Sequence, residues 1–258
     1  MERMVIVRGG GDLATGVIYR LFHAGFKVAC LEVAMPTVVR RTVSAAQAVF
    51  EGHAQVEDVA FKLMSLGEFP KDQCTVPVWI DPKGDSINQI KPHFVVDAIM
   101  AKRNTGTHMS MAPCVIALGP GFIAGKDVHY VIETKRGHYL GRVITRGGAI
   151  PDTGVPGVIG GESINRLLRA PNRGYLRPFK EIGDLVEAGE MVGEVNGVPV
   201  VAAIKGVLRG IIHPRVPLVE GMKIGDVDPR CIREHCFTIS DKALAIAGGV
   251  LEAMLRVR

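Results

Sequence analysis

The sequence has few aromatic residues and no apolar run long enough to cross a membrane. Phe, Trp and Tyr make up only 5% of the 258 residues, too few for binding through stacked nucleic-acid bases. A membrane-spanning helix needs roughly 18 consecutive apolar residues. We therefore expect neither a nucleic-acid partner nor a membrane partner.

Neither charge sign is in large excess, and the cysteines do not form a regular framework. The 31 basic and 26 acidic residues give a formal net charge of +5, which is compatible with an anionic small molecule or an acidic partner. Five unevenly spaced cysteines argue against a disulfide framework, and the N-terminus has no signal-peptide anatomy. We therefore expect a cytoplasmic protein, in which Cys114 is the least unfavourable candidate for a reactive thiol.

A glycine-rich turn near the N-terminus is the most informative motif. The apolar strand 4–7 leads into Gly9, Gly10 and Gly11, and the pattern predicts a helix over 12–24. This order is typical of a Rossmann-like nucleotide-binding unit, because glycines let the backbone approach a phosphate at the start of the helix. The alternative is a buried turn that needs glycine only for packing.

Two acidic residues and an arginine pair extend this candidate site. Glu32 lies near the end of the next predicted strand, 27–33, where a carboxylate can bind the two ribose hydroxyls. Asp12 starts the first helix and is either its N-cap or a ligand of a nucleotide-bound metal. Arg40 and Arg41 can bind a phosphate beside the ribose. Their alternative role is a solvated helix start.

The following segment alternates strands and helices, which predicts a mostly parallel sheet whose carboxyl edge binds ligands. We expect Asp97 at that edge. The predicted elements are a mostly helical segment over 43–66, strands over 76–80, 94–98 and 128–134, and an apolar strand that ends before Gly119.

Glycines and cations near two of these strand ends complete the predicted site. Gly119 and Gly121 free the backbone for contact with a ligand. Arg136 and His138 lie on the loop after the strand 128–134, and His138 is the best single candidate for proton transfer or for contact with a ligand. We assign no catalytic residue, and we expect no metal site because no cluster has a strong metal-ligand spacing.

The pattern changes after residue 170. A loop over 147–161 and a predicted helix that starts at Glu162 precede a repeat in which 185–195 is echoed by 218–227. Two strand–turn–strand copies can close a small barrel-sandwich. The hairpin tip between them, 195–198, has no lysine, which argues against a swinging-arm carrier.

The predicted fold class is therefore α/β. We expect a Rossmann-like, mostly parallel sheet over 1–170 that binds a nucleotide or cofactor. A small β barrel-sandwich of biotinyl or lipoyl type would occupy 171–237, and a helix over 238–258, with Ser240 as its N-cap, would pack back.

Motifs over nearly the whole chain, taken together, resemble the YqeB family of selenium-dependent molybdenum hydroxylase maturation proteins. XdhC-type accessory proteins are more distantly similar. The motifs are residues 8–16, 40–43, 119–122, 124–125, 127–128, 133–134, 136–138, 140–142, 153–154, Pro156-Gly157 and 225–230.

The resemblance implies an accessory role in preparing or inserting the molybdenum cofactor. The expected ligand is a nucleotide or a molybdopterin-type cofactor, such as a dinucleotide. The expected partner is a client molybdenum hydroxylase or another maturation factor, and a homo-oligomer is compatible with the sequence. The alternatives are a stand-alone NAD(P)-dependent oxidoreductase and a scaffold with a vestigial nucleotide site.

Overall fold

The computed structural model describes residues 3–72, 74–155 and 157–257, so that Pro156 of the quoted motifs lies outside the described residues. The chain divides into two compact units. The first comprises Met1–Ala34, Ser44–Thr153 and Ile239–Arg258, and the second comprises Met35–Val43 and Gly154–Thr238. The observed division thus follows Thr153, whereas the sequence predicted a boundary after residue 170.

A nine-stranded sheet with four helices forms the first unit. The strands are β1 (Met4–Arg8), β2 (Lys27–Glu32), β3 (His53–Val56), β4 (Val59–Leu63), β5 (Thr75–Ile80), β6 (Phe94–Asp97), β7 (Cys114–Leu118), β8 (Tyr130–Ile132) and β9 (Val143–Ile144). The helices are α1 (Asp12–His23), α2 (Gln47–Glu51), α3 (Ser86–Ile90) and α4 (Asp241–Leu255). None of the helices in the described part of the chain is both long and apolar enough to cross a membrane.

Strand β1 lies at the centre of this sheet. The strand order is β3-β4-β5-β2-β1-β6-β7-β8-β9. All five residues of β1 are buried, as expected for a strand covered on both faces, and β1 pairs in parallel with β2 and β6. The strands from β4 to β8 in this order are parallel, whereas the edge strands β3 and β9 pair antiparallel with their neighbours.

Helix α4 packs very closely against other parts of the first unit. Ser240 caps it, because its side chain accepts a hydrogen bond from the N–H of Ala243 at 3.2 Å, as predicted. A Cβ added to Gly16 of α1 would lie 2.7 Å from the Cβ of Ala243, and one added to Gly249 would lie 2.1 Å from the carbonyl oxygen of Gly141. Glycine is therefore required on both sides of α4.

The second unit contains two antiparallel sheets. Its strands are β10 (Leu167–Arg169), β11 (Leu176–Pro178), β12 (Leu185–Val186), β13 (Met191–Val195), β14 (Val198–Val201), β15 (Gly206–Ile211) and β16 (Lys223–Asp228). Four strands pair in the order β10-β16-β15-β12, and three in the order β11-β13-β14.

Two buried ion-pair groups support the four-stranded sheet. Arg166 donates through Nη2 to both carboxylate oxygens of Asp226, at 2.9 and 2.8 Å. Asp228 is fully buried and contacts Arg209 at 3.2 Å and Arg230 at 2.6 Å. Burial opposes ionisation of Asp228, but the Arg230 hydrogen bonds and both arginine charges prevail and lower its pKa to about 2.

The predicted fold class is wrong. The large sheet is mixed, with antiparallel pairs at both edges. The region predicted as one closed barrel-sandwich instead contributes to two separate sheets of four and three strands. A Rossmann-like domain followed by a biotinyl- or lipoyl-type domain therefore does not describe this chain.

Two local predictions are also wrong. The segment 43–66 is helical only over short stretches, and its second part forms the hairpin of β3 and β4. The helix expected from Glu162 is a single turn of 3-10 helix, Ile164–Arg166, which leads directly into β10. In both segments the apolar spacing suits short strands as well as a helix.

The adjacent glycines of α4 provide a matched test of its packing. We expect Gly249→Ala to lower the free energy of unfolding by about 1–3 kcal/mol, because the new methyl group meets the Gly141 carbonyl. Gly248→Ala, where no atom lies within 4 Å of the added Cβ, should raise it by up to about 1 kcal/mol. Urea unfolding followed by circular dichroism measures both, and equal effects would contradict the close approach.

The ionised Asp228 should make the second unit sensitive to acid. The carboxyl group of an Asp in an unfolded chain has a pKa of about 3.9. Because the pKa of Asp228 in the folded protein is lowered to about 2, its ionised carboxylate stabilises the folded state fully at pH values above about 4. Its contribution should disappear as the pH falls from about 4 to about 2. We expect Asp228→Asn to lower stability by about 3 kcal/mol at pH 7 and to lack this pH-dependent loss. Urea unfolding at pH 7, 4 and 3 measures the free energy of unfolding of the original protein and of the variant. An equal loss in both as the pH falls would contradict the prediction.

Candidate functional site

The glycine turn after β1 packs against backbone of its own unit. Gly9 has a φ of +96°, and a Cβ there would lie 2.9 Å from the carbonyl oxygen of Ala98. A Cβ at Gly10 would lie 2.9 Å from the nitrogen of Ala46, whose N–H donates to the Gly10 carbonyl at 2.9 Å. Packing alone therefore requires glycine at both positions, which is the alternative that the sequence left open.

Glu32 lies beside this turn, as predicted, but it binds the turn itself. One of its carboxylate oxygens accepts a hydrogen bond from the Gly10 N–H at 2.7 Å, and the other accepts one from the Val33 N–H at 2.8 Å. Burial raises the pKa of Glu32, although both hydrogen bonds act in the opposite direction. The amide expected to face a phosphate thus already has a carboxylate partner.

The start of α1 contradicts one of the two interpretations of Asp12, namely that this residue is the N-cap of the helix. Gly11 is the N-cap, with φ −68° and ψ 178°, and Asp12 is the first helical residue. The expectation that Asp12 caps the helix is therefore wrong. The hydroxyl of Thr15, one turn later, donates to the Gly11 carbonyl at 2.8 Å and accepts from the Ala45 N–H at 2.9 Å.

Asp97, expected at the carboxyl edge, belongs to a buried polar group. The hydroxyl of Thr107 donates to its carboxylate at 2.5 Å, and Arg8 at the end of β1 lies 3.7 Å from the same oxygen. Arg8 also donates to the carbonyl of Lys83 at 3.3 Å. All three side chains are buried. Because their polar atoms are paired with one another, Arg8, Asp97 and Thr107 stabilise the loops at the strand ends.

Gly119 and Gly121 also face protein atoms. Gly119 has a φ of +72°, and a Cβ there would lie 2.5 Å from the hydroxyl oxygen of Thr134. Gly121 has a φ of +107°, and a Cβ there would lie 2.7 Å from the backbone of Arg103. The close approach expected for a ligand is thus made here by neighbouring loops of the first unit.

Arg136 and His138 lie on the exposed loop after β8. Arg136 forms a bidentate pair with Asp241, the first residue of α4, at 2.6 and 2.9 Å. His138 is exposed, and its ring contacts that of Tyr139 edge to face at 5.1 Å. The structure thus links Arg136 to α4, a contact that the sequence did not predict.

Lys242, the second residue of α4, is the functional candidate that the sequence analysis missed. It is half-buried, and burial lowers its pKa; Arg136 acts in the same direction, whereas the carboxylates of Asp12, Glu133 and Asp152 oppose it. Two predicted site residues, Asp12 and Arg136, thus act electrostatically on the same lysine. A cation in the first turn of a helix, where acidic residues are favoured, was the available sequence signal.

Arg40 and Arg41 belong to the second unit. Arg40 donates to the carbonyls of His235 at 3.1 Å and Thr238 at 3.4 Å, and Arg41 donates to the carbonyl of Ile211 at 2.7 Å. The arginine pair thus binds backbone oxygens, and neither of the two roles expected from the sequence includes these contacts.

Burial makes Cys114 unfavourable as a reactive thiol. Burial raises the pKa of Cys114 to about 11, so this thiol stays protonated near neutral pH. In residues 3–72, 74–155 and 157–257, no group of three or more His, Cys, Asp or Glu side chains is arranged to hold a metal ion. An open surface cleft of about 600 Å³ lies beside Lys62, Met64 and Ile80, and none of the predicted site residues lines it.

The Glu32 contacts predict a structural role that can be measured. Glu32→Ala would leave the Gly10 and Val33 N–H groups without their acceptor, so we expect a loss of about 1–3 kcal/mol in the free energy of unfolding. Glu32→Gln keeps one acceptor oxygen and should lose less. Urea unfolding at pH 7 provides the values, and an Ala variant as stable as the original protein would show that these bonds contribute nothing.

Sequence comparison identifies one relative that matches almost the whole chain. The uncharacterized protein YqeB of Escherichia coli strain K12 is 49% identical over 257 residues. The match covers 98% of this chain and 48% of YqeB, so the chain spans about half the length of this relative. No protein-family model matches the chain.

Comparison with solved structures gives low similarity scores. An aspartoacylase family protein from Mesorhizobium loti is 13% identical, with 88% of this chain and 84% of that protein covered and a TM-score of 0.28. A succinylglutamate desuccinylase from Silicibacter is 11% identical, with 88% and 84% covered and a TM-score of 0.25. The ectoine utilization protein EutE from Ruegeria pomeroyi is 11% identical, with 88% and 86% covered and a TM-score of 0.27. Scores this low support no argument about fold or activity.

These titles name neither a molybdenum-enzyme maturation factor nor a Rossmann protein. At these scores the solved structures test none of the functional terms that the sequence suggested. The Rossmann and barrel-sandwich terms are corrected by the observed sheets. The sequence comparison supports the resemblance at the level of the family, because nearly the whole chain aligns at 49% identity. Over nearly its whole length, the chain is thus similar to about half of YqeB.

Proposed function

We propose that this chain is an accessory protein that binds a small-molecule ligand at the carboxyl edge of the nine-stranded sheet and serves the maturation of a molybdenum hydroxylase in the cytoplasm. The similarity to YqeB supports the proposal, because the motifs of the chain resemble the YqeB family and this resemblance implies an accessory role. Because the chain spans about half of YqeB, the client enzyme and other partners belong to this proposal as well.

The glycine turn itself does not fit the pyrophosphate of a dinucleotide in its present arrangement. The Gly10 N–H donates to Glu32 at 2.7 Å, and Ala46 donates to the Gly10 carbonyl at 2.9 Å. A phosphate at this turn would have to displace a carboxylate, and two such anions cannot share one amide at low cost. We therefore derive no step through a dinucleotide held by Gly9, Gly10 and Gly11.

The observation that carries the proposal is the grouping of Asp12, Glu133, Arg136 and Lys242 at the strand ends. These side chains come from α1, from the loop after β8 and from α4, elements far apart in the chain. Burial and the Arg136 charge lower the pKa of Lys242, and the Asp12 and Glu133 carboxylates oppose this shift. A lysine shifted in this way near the carboxyl edge of a sheet is more typical of a ligand site than of a structural ion pair. The mixture of acids and bases suits a ligand that offers both donors and acceptors.

A second candidate, a scaffold with a vestigial nucleotide site, has one specific observation in its favour. Glu32 fills the position at Gly10 that an anionic ligand would take. The same contact counts against a stand-alone NAD(P)-dependent oxidoreductase, since that function needs the dinucleotide phosphates close to the turn.

Thermal unfolding with a panel of ligands tests the proposal. We would titrate the protein with CTP, CDP, ATP, NAD, NADP and extracted molybdenum cofactor. A ligand at 100 times its dissociation constant should stabilise the protein by about 2.7 kcal/mol. We expect stabilisation by a cytidine nucleotide or by the cofactor, and we expect Arg136→Ala to reduce it because the Asp241 pair at the site is lost.

The matched control is Arg177→Ala, which removes an exposed arginine–carboxylate pair in the second unit. This variant should retain the full ligand effect. Stabilisation by NAD or NADP alone would favour the oxidoreductase, and no stabilisation by any ligand would favour the scaffold. Either result would contradict the proposed function.

A further inference from the structure

Arg209 lies buried in the second unit, at the point where the pairing of β15 and β16 shifts. It is the extra residue between Leu208 and Gly210, where the register of the two strands changes. Such a bulge turns a side chain out of its regular direction. Only 8% of Arg209 is exposed, and its Nη1 donates to the fully buried Asp228 at 3.2 Å. An arginine stays charged at neutral pH, so the sheet holds a buried positive charge here.

One edge of the Arg209 guanidinium group has no partner. Its Nε is buried, and among the residues that the structure describes none accepts a hydrogen bond from Nε or from Nη2. These two atoms form the edge with which an arginine binds two oxygens of one anion, as Arg230 does on Asp228 at 2.9 and 2.6 Å. A buried donor without an acceptor is costly, so this edge favours an oxyanion ligand.

Two further arginines would attract an anion at this edge. Arg230 contacts the same Asp228 oxygen as Arg209, at 2.6 Å, so that one carboxylate serves two guanidinium groups. Arg40 lies beside β15, where a Cβ added to Gly210 would be 3.3 Å from the Arg40 Cγ. Burial lowers the pKa of Arg209, and the Arg40 charge acts in the same direction, so the two cations are close enough to repel each other. The side chain of Arg230 is 38% exposed, which connects this group of arginines with the surface.

Arg166 provides a comparison within the same unit. Its Nε is also buried without a partner. Its Nη2, however, donates to both oxygens of Asp226 at 2.9 and 2.8 Å, and its Nη1 donates to the carbonyl of Gly157 at 3.0 Å. Arg166 thus binds both oxygens of one carboxylate, whereas Arg209 contacts a single oxygen that Arg230 contacts as well. An anion is therefore expected at Arg209 and not at Arg166.

We propose that the second unit binds a phosphate group, free or as part of an organic phosphate, at the Nε–Nη2 edge of Arg209, with Arg40 and Arg230 adding positive charge around it. Two phosphate oxygens accept hydrogen bonds from Nε and Nη2. Because the attraction grows with the charge of the anion, a phosphate ester, with a charge of about −1.5 to −2 near pH 7, is bound more strongly than a single carboxylate. All three arginines belong to the second unit, so this proposal does not rest on the proposed function.

Nuclear magnetic resonance of the intact chain, labelled with nitrogen-15 arginine, measures binding at this edge. We would titrate inorganic phosphate at pH 7 and constant ionic strength, and follow the Nε–H signals of the arginines. We expect the Arg209 signal, identified by its absence from Arg209→Lys, to shift in a saturable way because Nε gains an acceptor. The Arg166 signal should not shift. Acetate, as the carboxylate probe, should bind about tenfold more weakly than phosphate.

Two conservative variants extend the test to affinity, measured by isothermal titration calorimetry. Arg209→Lys keeps a positive charge beside Asp228 but lacks the Nε–Nη2 edge, so phosphate binding should weaken about tenfold. The matched control is Arg169→Lys in β10 of the same sheet, where Nη1 binds the carbonyl of Gly221 at 2.8 Å, and it should bind phosphate as the original protein does.

Ribose 5-phosphate is the second probe and distinguishes the two sources of the phosphate group. Tighter binding than that of inorganic phosphate would support an organic phosphate as the ligand, and weaker binding would support free phosphate. An Arg209 signal in the original protein that does not respond to phosphate, or responds equally to acetate, would overturn the proposal. This result does not depend on how any variant folds.

Discussion

The close packing of α4 against the rest of the first unit is the constraint on which the candidate site depends. Gly16, Gly141 and Gly249 have no side chains, and a Cβ at any of them would lie 2.7 Å or less from an atom of the opposing segment. This approach is sterically possible only for glycine, and it fixes the first turn of α4 beside the start of α1. The site is thus built from both ends of the chain, and its geometry follows from backbone packing more than from any polar contact.

Local signals predicted the elements that stand alone and missed those that depend on pairing partners. The strands predicted over 4–7, 27–33, 76–80 and 94–98 were confirmed to within one residue at their ends, and the capped helix α4 was confirmed as well. Apolar runs, glycine turns and a serine cap act within a few residues, so they can be recognised from the sequence. The hairpin of β3 and β4 was missed since its turn carries a positive φ at Glu57, a residue that gives no turn signal. The repeat was predicted correctly only in its first copy, where β12 and β13 flank a turn but belong to different sheets. In the second copy, Leu218 forms only an isolated bridge before the turn that leads into β16.

The glycine fingerprint shows why the candidate site was only partly predictable. A glycine is required wherever a Cβ would meet another atom, whether that atom belongs to a ligand or to the chain. At Gly9 and Gly10 the opposing atoms belong to Ala98 and Ala46, segments that sequence alone cannot place against the turn. The charged residues were harder still. Asp12 and Arg136 were singled out, but their common neighbour Lys242 lies on a helix whose packing partner became visible only in the structure.

The buried ionisable groups differ in whether their contacts stabilise the fold. Burial raises the pKa of Glu32, but its carboxylate holds two backbone N–H groups, and Asp97 likewise joins Arg8 and Thr107. These groups are structural. Lys242 is disfavoured by burial and also by the positive end of the α4 dipole, an effect worth about 0.3–1 kcal/mol, yet it forms no ion pair within the described residues. A neutral residue in its place would avoid both costs. A local cost without an ion pair in return is expected at functional positions, and it makes Lys242 a stronger candidate for a ligand contact than the glycine turn.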